Sequence, residues 1–152
     1  MRRILLTGMS GTGKSTILAA LARRGYRTVE LEGDWCVPQP DGTQLWDEPK
    51  VRALLDSDAG ETLIVAGCEA NMGAFIPEFD RVILLSAPPD VIVDRLRTRE
   101  TNAFGKSPEE RARVLRDLAE VEPLLRGVAD VEIDTVGPLD ETVQRVVAAI
   151  GG

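Results

Sequence analysis

Histidine is absent from this chain of 152 residues, and there are only two cysteines, two tryptophans, one tyrosine and three phenylalanines. Cys36 and Cys68 form neither a Cys-x-x-Cys pair nor a metal-ligand spacing, so transition-metal chemistry is not expected. Cys68 ends an apolar run and reads as a small packing residue. Basic residues are also short: 18 Lys and Arg against 25 Asp and Glu leave a net charge of −7. That balance argues against nucleic acid and against an anionic membrane surface as partners, and in favour of a small substrate. Neither a leader-like segment nor a membrane-length apolar run is evident, so a reducing, cytoplasmic setting is expected. No internal repeat or low-complexity tract interrupts the chain. Its length suits one domain over residues 1–152, acting as a monomer or homodimer.

What is present is concentrated near the start. Ile4-Leu5-Leu6-Thr7 is an apolar run, and Gly8-Met9-Ser10-Gly11-Thr12-Gly13-Lys14-Ser15-Thr16 follows it. The spacing Gly8-x-x-x-x-Gly13-Lys14-Ser15 is that of a phosphate-binding loop, set between a strand and a helix where the pattern requires it. Glycine lets the backbone curl so that several N–H groups point at one anion. Lys14 can then reach the β- and γ-phosphates of ATP, Ser15 can ligate Mg²⁺, and the helix N-terminus adds its positive dipole end. The expected nucleotide contacts are Gly8, Ser10, Gly11, Thr12, Gly13, Lys14, Ser15 and Thr16.

Downstream, strand and helix patterns alternate. Strands are expected at Arg2 to Thr7, Arg27 to Glu32, Thr62 to Gly67, Arg81 to Ser86 and Val128 to Asp134. Helices are expected at Lys14 to Arg24, Val51 to Asp56, from Pro88 through Leu96, Ser107 to Leu125 and Glu141 to Ile150. Prolines 38, 40 and 49 with Gly42 make residues 35–49 read as a loop. The expected fold is α/β: a three-layer phosphate-loop NTPase fold with a parallel sheet of about five strands, helices on both faces and a short lid near residues 99–107. Ligands of such sheets bind beyond the carboxyl ends of the strands.

A phosphate loop alone does not name a reaction. The chain is short for a remodelling ATPase, and the Asn-Lys-x-Asp sequence that reads guanine is missing. Over nearly its whole length it resembles the small-molecule and nucleoside monophosphate kinases, being most similar to shikimate, gluconate and adenylylsulfate kinases. The resemblance rests on the phosphate loop and on three weaker blocks. In Glu32-Gly33-Asp34 it implies Asp34 as the base that orients the acceptor hydroxyl, and Glu32 as an outer-sphere partner of the magnesium ion. In Val91 to Arg99 and the following Asn102 to Lys106 it implies Arg95 stacking on adenine and Arg99 reaching the phosphates from the lid. In the segment ending at Gly137-Pro138 it implies backbone contact with adenine. The plainer alternatives are a solvated acidic turn, a basic helix end and an ordinary strand-to-helix turn.

Three departures bear on the acceptor. Val121 stands where shikimate kinases carry a carboxylate-binding arginine, and Gly67-Cys68-Glu69 replaces their triple glycine. The Asp-Gly-x-Pro-Arg segment of many nucleoside monophosphate kinases is missing as well. The expectation is therefore an ATP- and Mg²⁺-dependent kinase that phosphorylates a hydroxyl of a small metabolite, nucleoside or antibiotic. The alternatives are a nucleotide switch or regulatory ATPase without a small acceptor, and a nucleoside monophosphate kinase.

Overall fold

The computed structural model describes residues 2–9, 11–57, 60–98 and 107–151. Expectations placed on Ser10, on Arg99 and on the lid through residue 106 lie outside the described residues.

Five parallel strands form the sheet: β1 (Arg3–Thr7), β2 (Arg27–Glu30), β5 (Leu63–Ala66), β6 (Arg81–Ser86) and β7 (Val131–Asp134). Their order is β2-β5-β1-β6-β7, with β1 at the centre. In β1, Ile4, Leu5 and Leu6 are all fully buried, because each face of the sheet has its own cover. Ile4 and Leu6 point to the face closed by α1 (Lys14–Arg23) and α5 (Leu139–Gly151), through Ile17, Leu21, Val146 and Ile150. Leu5 points the other way, into a cluster with Trp46, Leu55, Phe75 and Leu125. Each such side chain contributes roughly 1.5–3 kcal/mol on burial, which makes the central strand a rigid support for the loop that follows it.

The second face is closed by α2 (Glu48–Asp56) and α4 (Pro108–Val128), with α3 (Pro89–Thr98) packed against α4 through Ile92, Leu96, Val114 and Leu118. Side chains cap two of these helices: Asp47 accepts from Lys50 N, which starts α2 three residues before the expected Val51, and Ser107 accepts from Glu110 N at 3.1 Å.

Residues 35–49 correct the loop expectation. They contain an antiparallel hairpin of β3 (Cys36–Pro38) and β4 (Gln44–Trp46), paired Cys36 to Trp46. Pro38 is tolerated because it closes a short strand of a two-stranded ribbon. At the turn, Asp41 Oδ1 accepts from Thr43 N at 3.0 Å. Asn71 fastens the hairpin to the sheet, accepting from Trp46 N and donating to Trp46 O, both at 3.0 Å. Trp46, 2% exposed, is thereby driven into the core.

Candidate active site

The loop between β1 and α1 is shaped by contacts that only glycine allows. A Cβ on Gly8 would lie 2.5 Å from the Leu85 carbonyl oxygen and 2.8 Å from Thr12 Oγ1. Gly13, at φ +96°, precedes α1 in a left-handed conformation. Having no side chain, it leaves the helix uncapped and presents the dipole end to the loop. Thr12 is fully buried and ties the turn with Oγ1 donating to Met9 O at 2.8 Å. Lys14 Nζ lies across the loop and donates to the carbonyl oxygens of Gly8 and Met9.

Two clefts adjoin this loop. The first, of about 220 Å³, is lined by Gly13, Thr16, Ile17, Arg95, Thr135, Gly137, Leu139 and Thr142. Arg95 is held there by three hydrogen bonds, from Nη1 to Gly11 O at 3.1 Å and Thr135 Oγ1 at 2.9 Å, and from Nη2 to Thr135 O at 3.0 Å. The resemblance implied that Arg95 and Gly137 share one site, and the fold brings them to one cleft from the segments that follow the neighbouring strands β6 and β7. Pro138 is next to it and accepts from Thr142 N at 3.3 Å.

The second cleft, of about 320 Å³, has Lys14 in its wall. Its walls include Gly8, Met9, Glu30, Glu32, Gln44, Gly67, Cys68, Glu69 and Asp117. Glu30 meets the phosphate loop directly, accepting a hydrogen bond from Ser15 Oγ. Glu69 Oε1 accepts from Gln44 Nε2 at 3.3 Å, and burial raises its carboxyl above the usual range, partly offset by that bond. Burial likewise pushes the Cys68 thiol up in spite of Lys14 nearby. The Cys36 thiol is raised by burial and then by the charges of Glu69 and Glu32.

Asp34 stands elsewhere. The strand ends earlier than the sequence suggests: Leu31 N donates to Ala66 O at 2.8 Å, and Glu32 N then turns back to Glu30 O at 2.9 Å. A single 3-10 turn over Gly33–Trp35 follows and carries Asp34 into a separate, open cleft with Arg27, Trp35, Lys50 and Ser57. Lys50 Nζ donates to the Asp34 carbonyl at 2.8 Å. The cleft that Lys14 lines thus holds Glu30 and Glu32 together with Glu69 and Asp117, and Asp34 is not among them. The signal that could have found the first two is the acidic pair Glu30-x-Glu32 at the carboxyl end of β2.

Residues 4–116 match the AAA domain family. A putative adenylate kinase of Archaeoglobus fulgidus is 32% identical over 155 residues, covering 98% of this chain and 82% of that protein. The shikimate kinase of Rhodopseudomonas palustris is 32% identical over 171 residues, covering 98% and 81%. Of an uncharacterized Bacillus subtilis relative the chain spans 60%. The chain belongs to the phosphate-loop kinases of this family. Its fold matches the crystal structure of shikimate kinase from Bacteroides thetaiotaomicron, with a TM-score of 0.71 over 99% of both chains at 19% identity. As a member of this kinase family it is a phosphotransferase that uses ATP and acts on a small molecule.

In this kinase two polar side chains near these segments are engaged in structure. Arg52 pairs with Glu78 at 2.6 Å and lies 5.0 Å from the centre of the Phe75 ring. Asn71 is committed to the hairpin. Among the described residues no group of three or more His, Cys, Asp or Glu is arranged to hold a metal ion, and no helix is long and apolar enough to cross a membrane.

Proposed function

We propose that this kinase transfers the γ-phosphoryl group of ATP to a hydroxyl of a small metabolite entering the cleft between β2 and β5. The observation that carries the reading is the phosphate loop lining two clefts, one through Gly13 with Arg95 and Gly137, the other through Gly8 and Lys14 with Glu30, Glu32 and Glu69. The first suits the nucleotide: Arg95 offers a planar guanidinium to the base, and the phosphates run over the loop toward Lys14. The second takes the acceptor.

The residues present suit magnesium. Ser15 Oγ and Glu30 share a hydrogen bond, so a hard hydroxyl ligand and an outer-sphere carboxylate meet beside the loop, as an ion that keeps most of its waters requires. When bound, the ion would neutralise charge on the β- and γ-phosphate oxygens. Glu32 orients the acceptor. Its carboxylate accepts the hydroxyl proton as the new oxygen–phosphorus bond forms and the bond to the ADP oxygen breaks. Lys14 stays with the phosphates and offsets the charge that develops on the leaving oxygen. Positioning and charge neutralisation account for most of the acceleration expected of such a site. Arg99 is proposed to reach the phosphates from the lid.

Phosphate transfer from labelled ATP to a panel of hydroxyl compounds tests this reading. Transfer that depends on acceptor and on added Mg²⁺ is expected. Tight ATP binding with no acceptor giving labelled product would indicate a regulatory nucleotide switch instead.

A further inference from the structure

Arg95 enters the nucleotide cleft from α3, but α3 does not hold its guanidinium in place. An arginine side chain has a large rotamer entropy, so a guanidinium fixed only through its own backbone would sample many orientations. What fixes this one lies elsewhere in the chain. Of its three hydrogen bonds, one ends on Gly11 O in the phosphate loop and two end on Thr135, just beyond β7. Nη1 reaches Thr135 Oγ1 at 2.9 Å and Nη2 reaches Thr135 O at 3.0 Å, so both arms of the planar fork rest on a single residue. Two anchors set the direction of the fork, where one would leave it free to swing.

Thr135 is suited to this by its own confinement. It is 7% exposed, and its N–H and its hydroxyl both donate to Ser86 O at the end of β6, at 2.8 and 3.2 Å. With its proton given to Ser86, the hydroxyl presents a lone pair to Nη1, and the carbonyl takes Nη2. Every polar group of Thr135 is thereby engaged in joining the end of β6 to Arg95, and the hydroxyl has no proton left for a ligand. We infer that Thr135 is a positioning residue for the nucleotide: it acts through Arg95, holding the guanidinium at the angle from which it meets the base. This inference rests on the kinase reading above, which puts the nucleotide in this cleft, and adds the residue that orients its base contact. Valine at this position keeps the β-branched shape and removes the hydroxyl. Ser86 O then keeps the backbone N–H of residue 135 as its donor, so the exchange orphans no buried carbonyl.

The test measures dissociation constants by calorimetry for ATP and for inorganic tripolyphosphate, which has the phosphates without the base. Thr135→Val is expected to weaken ATP binding about fivefold and tripolyphosphate binding by less than about twofold. Thr135→Ser restores the hydroxyl and should bind ATP as the unaltered protein does. Arg95→Ala should weaken ATP binding about tenfold, and the double variant no further, because the hydroxyl acts only through the arginine. Thermal melts confirm folding, and Thr135→Ala repeats the measurement without the β-branch. Equal weakening of ATP and tripolyphosphate in Thr135→Val overturns the inference, since the hydroxyl would then be shaping the phosphate loop. Unchanged ATP binding in Thr135→Val and Thr135→Ala, with Arg95→Ala weakened, overturns it too, as does a double variant weaker than Arg95→Ala by the full Thr135→Val factor. These three results leave the kinase reading standing. Unchanged ATP binding in Arg95→Ala takes the nucleotide out of this cleft, and the inference falls with that part of the reading.

Discussion

The cleft at Gly13 is walled by small and apolar residues, Thr16, Ile17, Thr135, Gly137 and Leu139, with a single tethered arginine, whereas the cleft that Lys14 lines carries the acidic side chains of Glu30, Glu32, Glu69 and Asp117. On the proposed reading the contrast follows from what each cleft has to recognise. A nucleotide brings charge and a flat base, so a curled backbone, a helix dipole and one guanidinium suffice, and these are properties of geometry. An acceptor differs from one kinase to another, and selectivity must be written in side chains on the loops after the strands.

The largest way to disturb this division is to remove the group at its centre. Lys14→Ala should lower kcat by at least about 10²–10³-fold, measured as phosphate transfer at saturating ATP, while acceptor binding is retained. Next, Arg95→Ala should raise the KM for ATP about tenfold with a smaller effect on the KM for acceptor, because it loses a hydrogen-bonded cation from the nucleotide side alone. A comparable change in both constants would mean that the two clefts are not separate.

Gly67→Ala tests the acceptor wall. Its Cβ would lie 3.0 Å from Trp46 Cζ2 and 3.3 Å from Leu31 Cβ, so we expect a loss of roughly 1–2 kcal/mol in denaturant unfolding and a raised acceptor KM. The smallest effect is expected at Arg52. Its ion pair with Glu78 is substantially exposed, with side chains 43% and 37% accessible. Arg52→Ala should therefore cost no more than about 1 kcal/mol and leave both KM values unchanged.

The division also explains which features could be read from the chain. Alternating strands and helices were legible because β1, β5 and β6 are apolar on both faces, and few structures other than a covered parallel sheet need that. The phosphate loop was legible because Gly8 and Gly13 meet backbone constraints no other residue satisfies cheaply. The hairpin was not, since its prolines mimic a loop and its anchor, Asn71, lies 25 residues beyond Trp46. The pairing of Arg52 was hidden for the same reason: its partner Glu78 is 26 residues away. The choice among Glu30, Glu32 and Asp34 depended on where β2 ends. That point is fixed by Leu31 N meeting Ala66 O on another strand and by the turn of Glu32 N onto Glu30 O.

The central claim is that the acceptor meets Glu32 in the cleft beside Lys14, and not Asp34 in the cleft beside Lys50. Comparing kcat for Glu32→Gln and Asp34→Asn at saturating ATP and acceptor tests it most directly. The account predicts a fall of about 10²-fold for Glu32→Gln and a change within about twofold for Asp34→Asn. A collapse of activity in Asp34→Asn with Glu32→Gln near wild type would contradict it.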